Sequence, residues 1–147
     1  MLHLPDYCSQ ERIHFLTTAT KDTALGELVD VLATDPRAGE RQKLLDAILA
    51  RDEIVSTGIG FGIAIPHCRI DSVKRLCMSL GISAGGIDYP SIDDKPVRIV
   101  MMIAASAADQ NLYLRVLSKV MAFLKKERDP LLRCKSQAEA YELLKKY

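Results

Sequence analysis

The sequence predicts an α/β fold in which a single mixed β-sheet is flanked by helices on both faces. Apolar runs of strand length alternate with segments that have helical periodicity, which is typical of one sheet layered with helices. Residues 98–104 are almost continuously apolar, as in a central strand covered on both faces. With 147 residues and 48% apolar content, the chain is expected to form one compact domain over residues 1–147.

The first third of the chain predicts one short strand and two helices. Residues 12–16 favour a strand, and Thr20 can cap a helix that ends before Pro36. The buried stripe of that helix comprises Leu25, Leu28, Val29 and Leu32. A second helix is predicted from about Gly39, and it brings Arg51 near its C-terminal end.

The second half of the chain predicts two strands and the turns between them. Residues 76–82 and 98–104 have strand length and apolar composition. The pairs Gly85-Gly86 and Asp93-Asp94 indicate turns between these strands.

Three helices are predicted after the last strand. A long one covers about residues 110–127, and Asp129-Pro130 indicates the start of a short one, because proline suits the first helical turn. Ser136 and Glu139 have the spacing of a capping box that opens the last helix.

Composition argues against several classes of function. The 20 basic and 19 acidic residues are spread along the chain and give a net charge of +1, so no nucleic-acid-binding surface is predicted. No stretch reaches the roughly 20 apolar residues that cross a bilayer, and no signal peptide is apparent, which predicts a cytoplasmic protein without membrane insertion. The four cysteines lack metal-binding or disulfide spacing, so free and mostly buried thiols are expected, with no metal and no cofactor.

Residues 56–67, S-T-G-I-G-F-G-I-A-I-P-H, are the least ordinary stretch of the chain. Glycines permit positive φ angles and close backbone approach, and Pro66 stiffens the backbone that presents His67, so the stretch is expected to make poor helix and poor hydrogen-bonded sheet. The stretch lacks the Lys-Ser/Thr of a phosphate-binding P-loop, and Ile63 occupies the third glycine position of the dinucleotide fingerprint. A mostly neutral imidazole has one nitrogen lone pair available, so His67 is a candidate nucleophile.

Together with Arg51, this stretch resembles the active-site signature of the phosphotransferase-system enzyme IIA proteins of the mannitol/fructose class, which include the nitrogen-regulatory IIA-like proteins. Agreement in the order of elements extends from about Arg12 to Lys146. The resemblance implies the same α/β architecture and implies that His67 is phosphorylated. It also implies that Arg51 binds the phosphoryl group, for which a planar and permanently charged guanidinium is well suited.

The resemblance includes one substitution at the proposed site. Enzyme IIA proteins usually carry a second histidine on the long helix, and Tyr113 occupies that position here. A phenol can donate a hydrogen bond to a phosphoryl oxygen, although it cannot become a cation as imidazole can. Tyr113 is therefore expected to assist His67 in place of the second histidine.

Three further residues are expected to bind phosphate. The hydroxyl groups of Ser56 and Thr57 can donate hydrogen bonds, and the backbone around Gly62 can direct N–H groups at an anion. Arg69 lies two residues after His67, on the same side of an extended segment, but is interpreted as a solvated side chain.

The resemblance implies a protein donor, the histidine-containing phosphocarrier protein, and either a separate IIB-type acceptor or a regulatory target protein. An alternative is a degenerate regulatory binding module with little phosphoryl flux, which is suggested by Tyr113 and by an apolar Phe61 where relatives commonly have a polar residue. Phe61 is then either a contact for a partner at the rim of the site or part of the core.

Two other interpretations depend on His67 and its neighbour. A nucleophilic pair of His67 with Cys68 is disfavoured, because consecutive side chains of an extended segment point to opposite faces. An unrelated α/β domain in which His67 is structural predicts a buried ring with no pocket and no nearby arginine.

Overall fold

The computed structural model describes residues 1–147, which form six strands and four α-helices. The strands are β1 (Ile13–Phe15), β2 (Gly58–Gly60), β3 (Ile63–Ala64), β4 (His67–Arg69), β5 (Cys77–Ile87) and β6 (Val97–Ala105). The helices are α1 (Lys21–Leu32), α2 (Arg41–Ile54), α3 (Gln110–Arg133) and α4 (Gln137–Leu144). Short 3-10 turns occur at Leu4–Asp6, Gln10–Arg12 and Pro36–Ala38.

All six strands belong to one sheet with the order β1-β5-β6-β3-β2, and β4 also pairs with β6. The central pair, β5 and β6, is antiparallel. In contrast, β1 runs parallel to β5, and both β3 and β4 run parallel to β6. The mixed sheet that the sequence predicted is thus confirmed.

Helices cover both faces of the sheet. Side chains on both sides of β6 are therefore buried. Alternate residues of β6 enter two separate core clusters, as a strand with a period of two requires. Ile99, Met101, Ile103 and Ala105 pack with the apolar residues of α3 and α4, whereas Val100, Met102 and Ala104 pack with those of α1 and α2. Val97 also joins the second set, because the pairing register with β5 shifts between Val97 and Ile99. The predicted flanking on both faces is confirmed.

The first two helices lie where periodicity predicted them. Thr20 is the N-cap residue of α1, but its side chain makes no capping hydrogen bond and contacts the hydroxyl group of Thr23 instead. The predicted buried stripe of α1 is confirmed, since all four of its residues are fully buried. The last turn of α2 contains Arg51, as expected.

The glycine-rich stretch forms more sheet than the sequence predicted. Gly60, Phe61 and Gly62 all have positive φ angles and make a tight turn between β2 and β3. The flanking residues then pair with each other and with β6, so the expectation of poor hydrogen-bonded sheet is wrong outside this turn. Sequence composition alone does not show that β6 offers a partner to so short a strand.

Two predicted boundaries differ from the structure. Gly85-Gly86 does not end β5 but lies inside it, where Gly86 has a φ of 87° and the pairing register with β6 shifts between Ile82 and Ile87. A glycine pair inside a strand therefore makes an irregularity here rather than a turn. The predicted turn at Asp93-Asp94 is confirmed, because both residues lie in the turn between β5 and β6.

The predicted short helix at Asp129-Pro130 is not separate, because α3 continues through Pro130 to Arg133. Proline lacks the N–H that would bond to the carbonyl group of Lys126, but Lys126 is exposed, so water can satisfy that oxygen. Leu131 is fully buried and holds the last turn of α3 on the core. At α4 the N-cap bond of the predicted capping box is confirmed, since the hydroxyl oxygen of Ser136 accepts from the backbone N–H of Glu139 at 3.2 Å. The carboxylate of Glu139 accepts from the N–H of Lys135 rather than from that of Ser136, so the reciprocal bond is displaced by one residue.

None of the helices combines the length and the apolar character needed to cross a membrane. All four cysteines are free thiols, and Cys8, Cys68 and Cys77 are buried.

Candidate functional site

His67 is the first residue of β4, at the carboxyl end of the parallel part of the sheet. It lies opposite Ile103, near the end of β6, and the N–H of Ile103 donates to the carbonyl oxygen of Pro66 at 3.0 Å. Pairing with β6 thus fixes the backbone on which the imidazole is mounted. The carboxyl edge of parallel strands is the common location of ligand sites in α/β folds.

One ring nitrogen of His67 is bound and the other is free. Nδ1 lies 2.9 Å from the carbonyl oxygen of Ile65, and because a carbonyl oxygen only accepts, Nδ1 carries the proton and donates it. Nε2 then has the lone pair of the neutral ring and makes no hydrogen bond within the chain. The imidazole is half-buried, so this nitrogen has the properties of an available nucleophile.

The ring of His67 lines a surface hollow of about 460 Å³. Arg51 from α2, Arg69 from β4 and Tyr113 from α3 line the same hollow. Its other lining residues, mostly apolar, are Ala47, Ala50, Ile54, Cys68, Ile70 and Ala107. The three predicted catalytic residues, His67, Arg51 and Tyr113, are therefore brought together from three different elements.

Both arginines place positive charge at this hollow. Nη1 of Arg51 donates to the carbonyl oxygen of Val55 at 3.0 Å, which anchors the side chain at the end of α2 and leaves Nη2 and Nε available. The guanidinium carbon of Arg69 lies 5.5 Å from the ring centroid of Tyr113, within the range of a cation–π contact. Arg69 is exposed, but its interpretation as a merely solvated side chain is incomplete, because it also contacts the site.

The pKa of His67 is lowered from its ordinary value of 6.5. Burial is the largest cause, because it penalises the charged imidazolium, and the charges of Arg51 and Arg69 act in the same direction. The hydrogen bond to the carbonyl group of Ile65 and the charge of Asp52 oppose the shift without reversing it. His67 is therefore neutral at pH 7.

Tyr113 lies in the first turns of α3 and is 8% exposed. Its ring centroid is 5.7 Å from that of His67, with the two planes inclined at 43°. Burial raises the pKa of Tyr113, so the phenol stays protonated and can donate a hydrogen bond. Its hydroxyl group makes no hydrogen bond within the chain and is free to donate to a ligand in the hollow.

The three residues predicted to bind phosphate lie elsewhere. The hydroxyl group of Ser56 donates to the carbonyl oxygen of Pro90, and the buried hydroxyl group of Thr57 donates to Oδ1 of Asp52 at 2.6 Å. The carbonyl oxygen of Gly62 accepts from two N–H groups at the start of β6. None of the three lines the hollow of His67, so this placement favours structural roles for them.

Sequence reasoning missed Asp52, which organises the end of α2 next to Arg51. Its buried carboxylate accepts from the N–H and the hydroxyl group of Thr57, from the hydroxyl group of Tyr89 at 3.1 Å, and pairs with Nζ of Lys21 at 2.9 Å. Burial acts to raise the pKa of Asp52, but the hydrogen bonds from Thr57 and Lys21 outweigh it and lower the pKa. A carboxylate in the last turn of a helix is unfavourable unless other groups compensate its charge. The position of Asp52 at the end of the predicted second helix could therefore have indicated that it has such partners.

Two alternative interpretations of the site do not fit this geometry. Cys68 is 5% exposed, burial raises its pKa to about 12, and it makes no hydrogen bond to His67, so it is not a thiolate nucleophile. His67 is not a buried structural residue either, because it lines an open hollow with two arginines. Phe61 is not a rim residue of this hollow, since it is 66% exposed and lines a different one.

Comparisons with known proteins agree on one family. The family model described as "Phosphoenolpyruvate-dependent sugar phosphotransferase system, EIIA 2" matches residues 6–147. The PTS system fructose-specific EIIA component of Haloferax volcanii is 37% identical over 128 residues, which make up 86% of this chain and 83% of that protein.

Solved structures of two further proteins share the fold. The nitrogen regulatory protein IIA-Ntr from Neisseria meningitidis has a TM-score of 0.86 at 22% identity, with 95% of this chain and 97% of that one covered. Enzyme IIAMtl from Escherichia coli, solved in complex with phosphorylated enzyme IIBMtl, has a TM-score of 0.79 at 24% identity, with 93% of this chain and 96% of that one covered.

Proposed function

This chain belongs to the EIIA 2 family of the phosphoenolpyruvate-dependent sugar phosphotransferase system, and we propose that it is a phosphocarrier that holds the phosphoryl group on Nε2 of His67. The observation that supports this most directly is an uncharged ring nitrogen without a hydrogen-bond partner in a hollow that two arginines line. The proposal includes a single domain over residues 1–147 that works in the cytoplasm without metal or organic cofactor.

The arrangement suits phosphoryl transfer between two imidazoles. The P–N bond to the donor imidazole breaks while a P–N bond to Nε2 of His67 forms, and the donor nitrogen keeps the electron pair. No proton has to leave Nε2 first, because the hydrogen bond to Ile65 keeps the proton on Nδ1. Such transfers depend on alignment and on charge around the three phosphoryl oxygens, which Arg51, Arg69 and the phenol of Tyr113 supply.

The partners are proteins, and an exposed apolar rim beside the hollow supports docking. Ile54 and Val55 at the end of α2 are 77% and 64% exposed, and Leu114 next to Tyr113 is 50% exposed. Apolar side chains around a charged centre suit a transient protein contact. The proposed donor is the histidine-containing phosphocarrier protein, and the proposed acceptor is a IIB-type protein. The complex of enzyme IIAMtl with phosphorylated enzyme IIBMtl from Escherichia coli supports a partner of the IIB type.

Labelling with phosphoenolpyruvate, enzyme I and the phosphocarrier protein tests the assignment. We expect an acid-labile label on the wild type and none on His67→Ala. His3→Ala is the matched control, because His3 is exposed and lies outside the hollow, and it should retain the full label. A label that persists on His67→Ala would refute the assignment.

Tyr113 favours a second candidate function, a regulatory module in which phosphoryl flux is low and the phosphorylation state is the output. Transfer rates of Tyr113→His and Tyr113→Phe separate the two functions. For an efficient carrier we expect Tyr113→Phe to slow transfer about fivefold, the effect of one lost hydrogen bond, and Tyr113→His to change little. A rate that rises tenfold or more in Tyr113→His would favour the regulatory module.

Stability provides the control for these variants. Because the hydroxyl group of Tyr113 makes no hydrogen bond within the chain, Tyr113→Phe should leave the free energy of unfolding within about 0.5 kcal/mol of the wild type. A larger loss of stability would attribute a slower rate to the fold rather than to the site.

A further inference from the structure

A second hollow, of about 750 Å³, lies at the other end of the central strand from His67. Four segments line it: the turn between β2 and β3, residues Ala84 and Gly85 of β5, the segment that leads into β6 with the start of that strand, and the end of α3. Ile63 pairs with Ile99 at this end, whereas His67 pairs with Ile103, four residues further along β6. At about 3.3 Å per residue the two sites are roughly 13 Å apart along the strand, and they share no lining residue.

The second hollow concentrates positive charge. Its lining contains five cationic and two anionic residues, a net charge of +3, whereas the whole chain has +1. The cationic residues are Lys95, Arg98, Lys125, Lys126 and Arg128.

Most of this charge is not compensated within the protein. Lys95, Arg98, Lys125 and Lys126 make no ion pair, and only Arg128 is paired, with Asp129 at 2.6 Å. The other acid, Asp93, accepts from the backbone N–H groups of Lys95 and Phe61, which lower its pKa. The four unpaired cations are therefore available to an anion.

An exposed aromatic ring lies beside these cations. Phe61 is 66% exposed and has a φ of 60°, an unfavourable conformation for any residue other than glycine. Two hydrogen bonds hold it there: its N–H donates to Oδ2 of Asp93 at 3.0 Å, and its carbonyl oxygen accepts from Nε of Arg128. The backbone of Phe61 is thus fixed at this turn, and its exposed ring contributes nothing to the core clusters.

We propose that this hollow binds a nucleoside di- or triphosphate, with the phosphates on the unpaired lysines and Arg98 and the base stacked on Phe61. An aromatic platform next to clustered cations is the arrangement that recognises a base and its phosphates together. The volume matches that of small-molecule sites, and the cations converge on a concave surface from two sides, β6 with its preceding loop and α3. The proposal does not depend on the chemistry of His67.

Calorimetric titration of the full chain with ATP, GTP, inorganic tripolyphosphate and adenosine tests this site. We expect saturable binding of ATP or GTP that is at least fivefold tighter than binding of tripolyphosphate, because base stacking adds to the phosphate contacts. Adenosine alone should bind weakly. Phe61→Ser should abolish the difference between the nucleotide and tripolyphosphate.

Charge-reversal variants locate the site. Lys125→Glu/Lys126→Glu should weaken nucleotide binding at least tenfold, and both side chains are exposed, so the fold should be retained. The matched control is Lys74→Glu/Arg75→Glu, an adjacent exposed basic pair that lies outside the hollow, which should change binding less than twofold. His67→Ala should bind nucleotide like the wild type.

Three results would overturn the proposal. The first is no saturable binding of either nucleotide up to 1 mM, roughly the upper limit for a weak specific site. The second is equal weakening by the two charge-reversal pairs, which would indicate non-specific attraction. The third is equal affinity for ATP and tripolyphosphate in the wild type, which would leave the ring without a function.

Discussion

The nucleophile of the proposed reaction is prepared by its immediate surroundings rather than by a separate base. The carbonyl group of Ile65 fixes the tautomer of His67, and burial with two nearby arginines keeps the ring neutral. The arginines that would bind the phosphoryl group thus also preserve the lone pair that accepts it. The effect of the arginine charge on the pKa of His67 can be measured separately from phosphoryl binding, by titration of the unphosphorylated protein.

We predict that His67 titrates below 6.5 and that Arg69→Gln raises its pKa, because one of the charges that oppose protonation is removed. NMR of the imidazole as a function of pH measures both values. Arg75→Gln is the control, since Arg75 is exposed and lies outside the hollow, and it should leave the pKa unchanged. An unchanged pKa in Arg69→Gln would contradict the electrostatic account.

The same shift has a consequence for stability. The unfolded chain takes up the proton of His67 near pH 6.5, whereas the folded chain does so only at lower pH. Above pH 6.5, protonation of His67 does not affect the free energy of unfolding. As the pH falls from 6.5 through the folded pKa, protonation of the unfolded chain lowers the free energy of unfolding.

At the residue scale, the sequence predicted those site residues whose position follows from the local sequence or from the family signature. Pro66 and the resemblance indicated His67 and Arg51, and the alternation of an extended segment already put Arg69 on the side of His67. The hydroxyl partner of Ser56 was not predictable, because it is the carbonyl group of Pro90, 34 residues further along the chain. The partner of Thr57, Asp52, is only five residues away, but the contact depends on how the chain turns after α2.

At the scale of elements, Asp52 joins three parts of the molecule at the end of α2. It binds Lys21 at the start of α1, Thr57 before β2 and Tyr89 after β5. This network fixes the backbone from which Arg51 extends into the hollow.

We predict that Asp52→Asn lowers the free energy of unfolding by about 2 to 4 kcal/mol at pH 7, because buried hydrogen bonds to a carboxylate and an ion pair are weakened. The lowered pKa means that this stabilisation is present above pH 3.8 and is lost as the pH falls through the folded pKa. Urea unfolding should therefore show a smaller difference between variant and wild type at pH 3 than at pH 7.

Glu53→Gln is the control for this experiment, since Glu53 is the next residue on α2 but is exposed and unpaired. It should change stability by less than about 0.5 kcal/mol. A difference between Asp52→Asn and the wild type that stays constant with pH would contradict the role of the carboxylate charge.

Periodicity predicted which elements exist, but tertiary contacts decided where two of them end. The pattern of a continuous helix stops at Pro130, yet burial of Leu131 carries α3 one turn further. The glycine pair in β5 has the composition of a turn, but the long antiparallel neighbour β6 keeps those residues in the sheet. In both cases a distant packing partner outweighed a local preference.

At the scale of the whole molecule, α3 ties the two ends of the chain together. Nζ of Lys119 donates to the carbonyl oxygen of Leu2 at 2.7 Å. At the other terminus, the hydroxyl group of Tyr147 donates to Oε2 of Glu127 at 2.7 Å, and the carbonyl oxygen of Tyr147 accepts from the N–H of Leu4.

We predict that Tyr147→Phe lowers the free energy of unfolding by about 1 to 3 kcal/mol, because the buried carboxylate of Glu127 loses a hydrogen bond while the ring contact with Phe123 remains. Thermal or urea unfolding measures the change. Tyr141→Phe is the control, since the hydroxyl group of Tyr141 makes no hydrogen bond, and equal losses in the two variants would refute the prediction.

The strand order also determines when the sheet can assemble during translation. Ile13 of β1 lies opposite Leu80, so β1 has no partner strand in a nascent chain that stops before residue 77. β4 pairs only with β6, and β3 has only the short β2 beside it until β6, which begins at Val97, has been made. The apolar stripes of α1 and α2 lack their covering surface for the same period. Most of the polypeptide must leave the ribosome before the sheet closes, which makes the emerging N-terminal half a natural client for chaperones.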